Sequence, residues 1–274
     1  MKGIIIAAGP STRMLPLTED RPKCSLPING KPILQNTIEL FHKNGVQDIS
    51  IIRGWQADKI VPQNVTFFDN TDFWNNNILH SLLHARPKLE NALDFHEDIL
   101  ITYSDIWFTD YVIKKLLDSN QPISLVVDTE WLELYQDRAD HPISEAENVI
   151  MKSSGYVSKI GKNVFTKSIP NKEQGEFIGL FKLRPEGIKN FLTHFDRIDK
   201  QLSKTDSFQN AKEWQKAYLT DIFQELVDNG VKLHCVLIQQ NWMEFDTVQD
   251  YLRLNQQIPH DLKQKLEKND EFQR

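Results

Sequence analysis

Met1–Pro27, MKGIIIAAGPSTRMLPLTEDRPKCSLP, is the stretch on which the reading of this chain turns. Gly3 to Ala8 is an apolar run with three consecutive isoleucines. It is long enough for one strand buried on both faces and too short for an ordinary helix. The run stops at Gly9-Pro10-Ser11-Thr12, small residues that favour a loop. Such a loop after a buried strand lets backbone N–H groups approach an anion closely. Arg13 and Lys23 put two cations within reach of it, and Pro16 and Pro22 stiffen the segment between them. Strand, small-residue turn and spaced cations together suggest a triphosphate cradle. It is not a P-loop, because no Gly-Lys-Ser/Thr follows. The dinucleotide fingerprint G-x-G-x-x-G is absent as well.

Outward from this stretch, strand and helix alternate. Lys31 to Lys43 has helical periodicity, with Pro32 in the first turn and Asn44-Gly45 as a stop. Asp48 to Arg53 reads as a strand, Gln56 to Ile60 as a short helix and Val65 to Phe68 as a third strand. The alternation implies an α/β fold with a mixed, mostly parallel sheet covered on both faces, a Rossmann-like three-layer arrangement. Ligands of such sheets bind at the carboxyl ends of the strands, where the Gly9 loop lies.

Further on, Asn75-Asn76-Asn77 can cap a helix from Ile78, and capping alone would explain the cluster. Asp98 to Tyr103 is a buried strand with Asp105 just past its end. A carboxylate there is costly without a partner. Tyr111 to Ser119 reads as a helix and Ile123 to Asp128 as a strand. Trp131 to Asn148 is charged, so Asp137, Arg138, Asp140 and His141 read as a solvated loop or lid. Val149 to Ile169 suggests antiparallel strands, with Lys159 and Lys162 able to meet an acidic substrate. Gly175 to Leu180, GEFIGL, reads as an edge strand opening on Glu176. Pro185 to Leu202 and Lys212 to Val227 read as helices. In the second, Trp214 and Tyr218 stand one turn apart, and both core packing and an acceptor pocket are open to them. Lys232 to Ile238 is the last strand expected. Asp246-Thr247 can start the helix Val248 to Leu254.

The 274 residues carry a formal net charge of −6, which makes no general case for nucleic-acid binding. An acidic protein holds an anionic nucleotide only through local cations or a metal. Cys24 and Cys235 stand in no ligand-like spacing and suggest ordinary thiols in a reduced compartment. The sequence shows no signal peptide and no apolar run near the ~20 residues of a membrane span, so a cytoplasmic protein with no membrane role is expected.

Jointly, Ala-Ala-Gly, Arg13, Pro16-Leu17-Thr18 and Pro22-Lys23 resemble the signature of the nucleotidyltransferases that activate sugar phosphates and phospho-alcohols. Ser11 stands where that family usually has a second glycine. N-N-I-x-x-S-L at 76–82 and GEFIGL are similar to the branch that activates phosphocholine or phosphonates with CTP. The resemblance runs from Gly3 to Leu254 and implies the nucleotide-diphospho-sugar transferase (GT-A-like) fold. It implies one domain over 1–258, with 131–175 a lid or β insertion and 259–274 a polar tail or terminal helix. It also implies that Ala7, Ala8, Gly9, Pro10, Ser11 and Thr12 wrap CTP, and that Arg13 and Lys23 neutralise its phosphates. Asn76 or Ser81 would touch the base, and Asp105 and Asp246 would hold Mg²⁺. Glu176, Lys159, Trp214 and Tyr218 are the acceptor-side candidates. The implied reaction transfers CMP from CTP to a small phosphonate or phosphate monoester. A homodimer is compatible with this reading. The alternatives are a sugar-1-phosphate nucleotidyltransferase using UTP or dTTP and a non-catalytic nucleotide-binding protein of the same fold. A glycosyltransferase would be expected to carry D-x-D, which Ser104-Asp105-Ile106-Trp107 lacks.

Overall fold

The isoleucine run forms strand β1, Lys2–Ala7, buried at every residue. Ile4 and Ile5 are wholly inaccessible, and each such side chain contributes roughly 1.5–3 kcal/mol by leaving water. A computed structural model describes residues 1–166, 168–170, 173–255 and 258–272. After β1 come β2 (Pro27–Ile28), β3 (Lys31–Pro32), β4 (Asp48–Arg53), β5 (Thr66–Asp69), β6 (Ile99–Tyr103), β7 (Ile106–Phe108) and β8 (Ile123–Asp128). The later strands are β9 (Glu147–Met151), β10 (Val157–Lys162), β11 (Gln174–Leu183), β12 (His234–Ile238) and β13 (Trp242–Glu244). The helices are α1 (Ile33–Lys43), α2 (Ile78–Leu83), α3 (Arg86–Asp94), α4 (Asp110–Leu117), α5 (Pro185–Gln201), α6 (Leu219–Asp228), α7 (Val248–Leu254) and α8 (His260–Phe272).

The main sheet runs β10-β9-β11-β6-β1-β4-β5, with β8 beside β11 and β12 beside β8. β1 is parallel to both neighbours, β4 and β6. The chain leaves β1 on one side toward β4 and β5 and returns on the other as β6. That reversal opens a crevice at the carboxyl ends of β1 and β6. One hydrophobic core lies against α2, α3, α5 and α6 on one face, and a second lies against α1 and α4 on the other. This is the three-layer, mostly parallel architecture expected. A third, smaller core joins Met14, Leu17 and Leu26 to Phe245, Tyr251 and Leu262. It ties the segment after the first loop to the end of the chain.

Three expectations change. GEFIGL is not an edge: β11 is buried at all ten residues and lies between β8 on one side and β9 and β6 on the other. Its pairing with β8 shifts register between Phe177 and Phe181, where Gly179 has φ +80°. A Cβ there would lie 2.3 Å from the Tyr103 ring, so only glycine fits the bulge. The helix expected over 212–227 is broken. A 3₁₀ turn spans Trp214–Lys216 and α6 starts at Leu219, because the Asp221 carboxylate accepts the backbone N–H of Tyr218 and closes a capping box. Finally, the charged stretch 131–148 is not a solvated loop throughout. Arg138 and His141 are buried. Positions 167, 171 and 172 of the expected insertion and 273–274 of the tail lie outside the described residues. Among the described residues, no helix is long and apolar enough to cross a membrane.

Candidate active site

Lys23 is the centre of the crevice. It sits in a 3₁₀ turn behind the β1 loop, and its ammonium donates to Asp105 Oδ2 at 2.8 Å and to Asp246 Oδ1 at 2.6 Å. Asp105 arrives from the β6–β7 turn. Asp246 arrives from the far end of the chain, carried by β13, which pairs with β7, and by the third core. Arg13 Nη2 donates to Asp246 Oδ2 at 2.7 Å. Burial alone would lower the Lys23 pKa, but the two carboxylates outweigh it and raise it. Burial likewise opposes the charge of Asp246, and Lys23 and Arg13 overcome it, holding that carboxyl well below the usual range. Asp105 Oδ1 is buried and has no partner among the described residues. Helix capping accounts for neither aspartate. Thr109 precedes α4, and Thr247 with Asp250 forms the capping box of α7.

Two clefts meet at this cluster, sharing Asn77, Ile78, Tyr103 and Asp105. The first is lined by Ala7, Ala8, Gly9, Pro10 and Ser11, by Lys23, and by Asn76 and Ser81. Thr12 is exposed, opens the next turn and does not line it. Gly54 lets the end of β4 lie against the loop, since a Cβ there would stand 2.4 Å from the Ala8 carbonyl oxygen.

The second cleft is lined by Arg13, Glu176, Tyr218, Trp242 and Asp246. Lys159 is exposed on β10 and does not line it, because strand alternation turns that residue outward; Lys162, three residues on, lines the cleft instead. Trp214 is also absent from it. Its indole is buried, donates to Asp199 at 2.9 Å and stacks edge-on to His80. With α6 starting late, Trp214 and Tyr218 no longer share a helix face. Trp74, Trp107 and Trp242, three residues of the type that can cage a quaternary ammonium group, pack against different neighbours. Trp74 is exposed against Trp55 and Phe73, Trp107 packs on the third core, and Trp242 donates to Asp128 at 2.7 Å.

Sequence reasoning missed Arg138, His141, Glu147 and Glu244. Arg138 is 8% exposed and makes two bonds to Asp250, at 2.7 and 2.9 Å, and one to Glu244 at 3.2 Å. This places His141 between Asp246 and Glu244, at 3.3 and 3.4 Å. Burial and then Arg138 lower the His141 pKa to about 4, so the ring is neutral at pH 7. His141, Glu244 and Asp246 offer ligand atoms within 4.8 Å of one another. Within this group Glu244 already has Arg138 and His141 as protein partners. The available signal was the acid two residues before Asp246.

Glu176 accepts a bond from Tyr135, and Glu147 accepts one from Tyr103 at 3.0 Å. Burial pushes these carboxyls up to about 8 and about 7 respectively. A carboxyl raised by folding stabilises the protein below its unfolded pKa, and that contribution is lost as pH rises through the folded value. Glu176→Gln is therefore expected to raise Tm at pH 8.5 and to match the wild type within about 2 °C at pH 4.5. Thermal unfolding at the two pH values checks this; an equal shift at both would show that ionisation of Glu176 is not the cause.

The MobA-like NTP transferase domain family matches residues 3–143. The chain is 27% identical over 257 residues to the CTP:phosphoglutamine cytidylyltransferase of Campylobacter jejuni, covering 91% of this chain and 97% of that protein. It is 29% identical over 262 residues to the bifunctional protein GlmU of Methanococcus maripaludis. There the match covers 93% of this chain but only 54% of the relative, so the chain spans about half that protein's length. The solved structure of the CTP:phosphocholine cytidylyltransferase of Streptococcus pneumoniae superposes with a TM-score of 0.65 at 20% identity, covering 92% of this chain and 96% of that one. At that identity the likeness speaks for the fold, and the fold is the nucleotide-diphospho-sugar transferase type. With the family match covering more than half of its length, the chain belongs to the MobA-like NTP transferase domain family and is a nucleotidyltransferase.

Proposed function

We propose that this nucleotidyltransferase moves CMP from CTP to a small acceptor bearing a phosphate or phosphonate and an ammonium group, releasing pyrophosphate. The observation that carries the reading is Lys23 bridging Asp105 and Asp246 where the two clefts meet. A nucleotide in the first cleft and an acceptor in the second would bring their phosphoryl groups together there.

The donor set fits Mg²⁺. Two carboxylates converge on one point, and Asp105 keeps a buried oxygen free of any partner among the described residues. Asp105 and Asp246 would hold the ion, which when bound would polarise the α-phosphate and offset its charge. Lys23 and Arg13 would then be released toward the phosphate chain and would stabilise the leaving pyrophosphate. The backbone of Gly9 to Ser11 would orient the triphosphate. An acceptor phosphate is largely ionised at neutral pH, its second pKa being ~6, so an oxygen lone pair can attack the α-phosphorus without a general base. The main obstacle is repulsion between polyanions, about 4 kcal/mol per pair of unit charges at ~4 Å and an effective dielectric near 20. The cations gathered on one side of the crevice offset that repulsion.

The ammonium group is inferred from charge. The second cleft is lined by Asp105, Glu145, Glu147, Glu176, Glu244 and Asp246 against Arg13 and Lys162. Burial raises Glu147, Glu176 and Glu244, so an ammonium group set beside them would favour their ionised form, a pairing that the uncharged sugar of a sugar phosphate cannot make. The names of the relatives, which act on phosphoglutamine and phosphocholine, support the same reading. A pyrophosphate-release screen tests it, with CTP, UTP, dTTP and ATP against phosphoglutamine, phosphocholine, aminoethylphosphonate and glucose 1-phosphate. Turnover is expected with CTP and an ammonium-bearing acceptor. Preference for UTP or dTTP with the sugar phosphate would overturn it.

A further inference from the structure

We infer that Asn70, a buried residue that does not line the nucleotide cleft, sets the hydrogen-bonding polarity with which that cleft reads cytosine. The inference rests on the cytidylyltransferase reading and names the device that would make the base choice. Asn70 is 1% exposed and is anchored by its backbone N–H to the Arg53 carbonyl oxygen at 2.7 Å, at the end of β4. Its side-chain orientation follows from a fixed donor: the backbone N–H of Asp72 donates to Asn70 Oδ1 at 3.0 Å. A backbone N–H cannot accept, so the oxygen of Asn70 faces it and the NH₂ faces the other way.

The remaining polarities then follow in turn. Asn70 Nδ2 donates to Asn76 Oδ1 and to Ser81 Oγ, both at 2.9 Å, which uses its two hydrogens. Asn76 Nδ2 returns one hydrogen to Asn70 Oδ1 at 3.0 Å. The Ser81 hydroxyl donates to Asn76 Oδ1 at 3.3 Å. Among the described residues, two capacities are left unused on side chains that line the first cleft, the second N–H of Asn76 and a lone pair of Ser81 Oγ. One donor beside one acceptor complements the cytosine edge, where N3 accepts and the 4-amino group donates. Uracil presents the reverse, an N3–H donor and an O4 acceptor, and would set N–H against N–H. Asn76 and Ser81 would touch the base; Asn70 acts through them as a positioning residue.

Asn70→Asp tests this, because it keeps the shape and removes both donated hydrogens. Asn76 is then expected to turn its NH₂ toward the new carboxylate and its oxygen toward the cleft. The ratio of kcat/KM for CTP to that for UTP should fall at least about tenfold, through a raised KM for CTP, with kcat changed less than about threefold. An unchanged ratio, with both nucleotides affected alike, would mean that Asn70 is merely structural and would overturn the inference. A second measurement needs no variant. The wild-type enzyme is given zebularine 5′-triphosphate, which lacks the 4-amino group, and its KM should exceed that for CTP by about tenfold or more. Equal KM values would overturn the inference even if the variant fails to fold. If the wild type shows no preference for CTP over UTP, the cytidylyltransferase reading fails first. If it prefers CTP and Asn70→Asp keeps that preference, only the role of Asn70 fails.

Discussion

Asp246→Asn is expected to lower kcat by at least about 10³-fold while the protein stays folded. The asparagine keeps one acceptor oxygen and the side-chain volume but loses the charge. In the wild type that charge faces Lys23 at 2.6 Å, Arg13 at 2.7 Å and His141 at 3.3 Å. Without it, the proposed metal loses one of two carboxylates, and Lys23 is held by Asp105 alone. Asp105→Asn should have an effect of similar size, and raising Mg²⁺ should restore neither. Turnover within about tenfold of wild type in both variants would sink the assignment of these residues. Stability follows a separate sign. The folded-state pKa of Asp246 is depressed, so its contribution is present above the unfolded value near 3.9 and is lost as pH falls toward the folded value. The stability gap between wild type and Asp246→Asn should therefore be full at pH 7 and shrink below about pH 4, which urea unfolding across that range would measure.

Arg138→Leu should cost about 3 kcal/mol of stability, near the lower end for breaking a buried ion pair. The Arg138 side chain is 5% exposed and that of Asp250 is 3% exposed. Leucine fills part of the space but leaves the Asp250 carboxylate without its cation. Two bonds remain to it, from the backbone N–H groups of Asp246 and Thr247 at 3.1 and 3.0 Å, which is why the loss stays moderate. At this chain length that loss corresponds to a fall in Tm of roughly 6–12 °C. Arg138→Lys should lie between, since lysine keeps the charge but not the two parallel bonds. Adding Asp250→Asn to Arg138→Leu should cost less than the two single losses summed, because the second change removes the unpaired charge. Loosening Arg138 also frees His141 from the wall of the second cleft, so KM for the acceptor should rise more than kcat falls. A Tm within about 2 °C of wild type would show that the pair is not a major support of this segment.

The parts of the site legible in the chain are those whose physics is local. Three isoleucines followed by small residues and a nearby cation describe a strand, its end and a phosphate-sized gap within a few residues, and β1 and its loop stand where that pattern puts them. Asp105 was readable for a similar reason, as a charge one step past a buried strand. Arg138 and His141 read as solvated because a charged stretch with few apolar residues usually is. Their burial depends on Asp250 and Glu244, more than a hundred residues away, and no local pattern encodes that pairing. Trp214 and Tyr218 misled through periodicity, since a single carboxylate, Asp221, starts the helix after both of them.

By itself, then, the sequence determined the alternating strands and helices and the first loop with its two nearby cations, because hydrophobic period and turn chemistry act over short spans; Asp246 stood out only through the family resemblance. Only the tertiary structure decided what those groups face. The third core draws Phe245 and Tyr251 onto Met14 and Leu17, and this brings Asp246 to Lys23 across 223 positions. Burial there raises the worth of each paired charge and the cost of each unpaired one. The same low-dielectric setting raises the carboxyls Glu147 and Glu176 in the second cleft and makes the fixed polarity of Asn70, Asn76 and Ser81 costly to reverse.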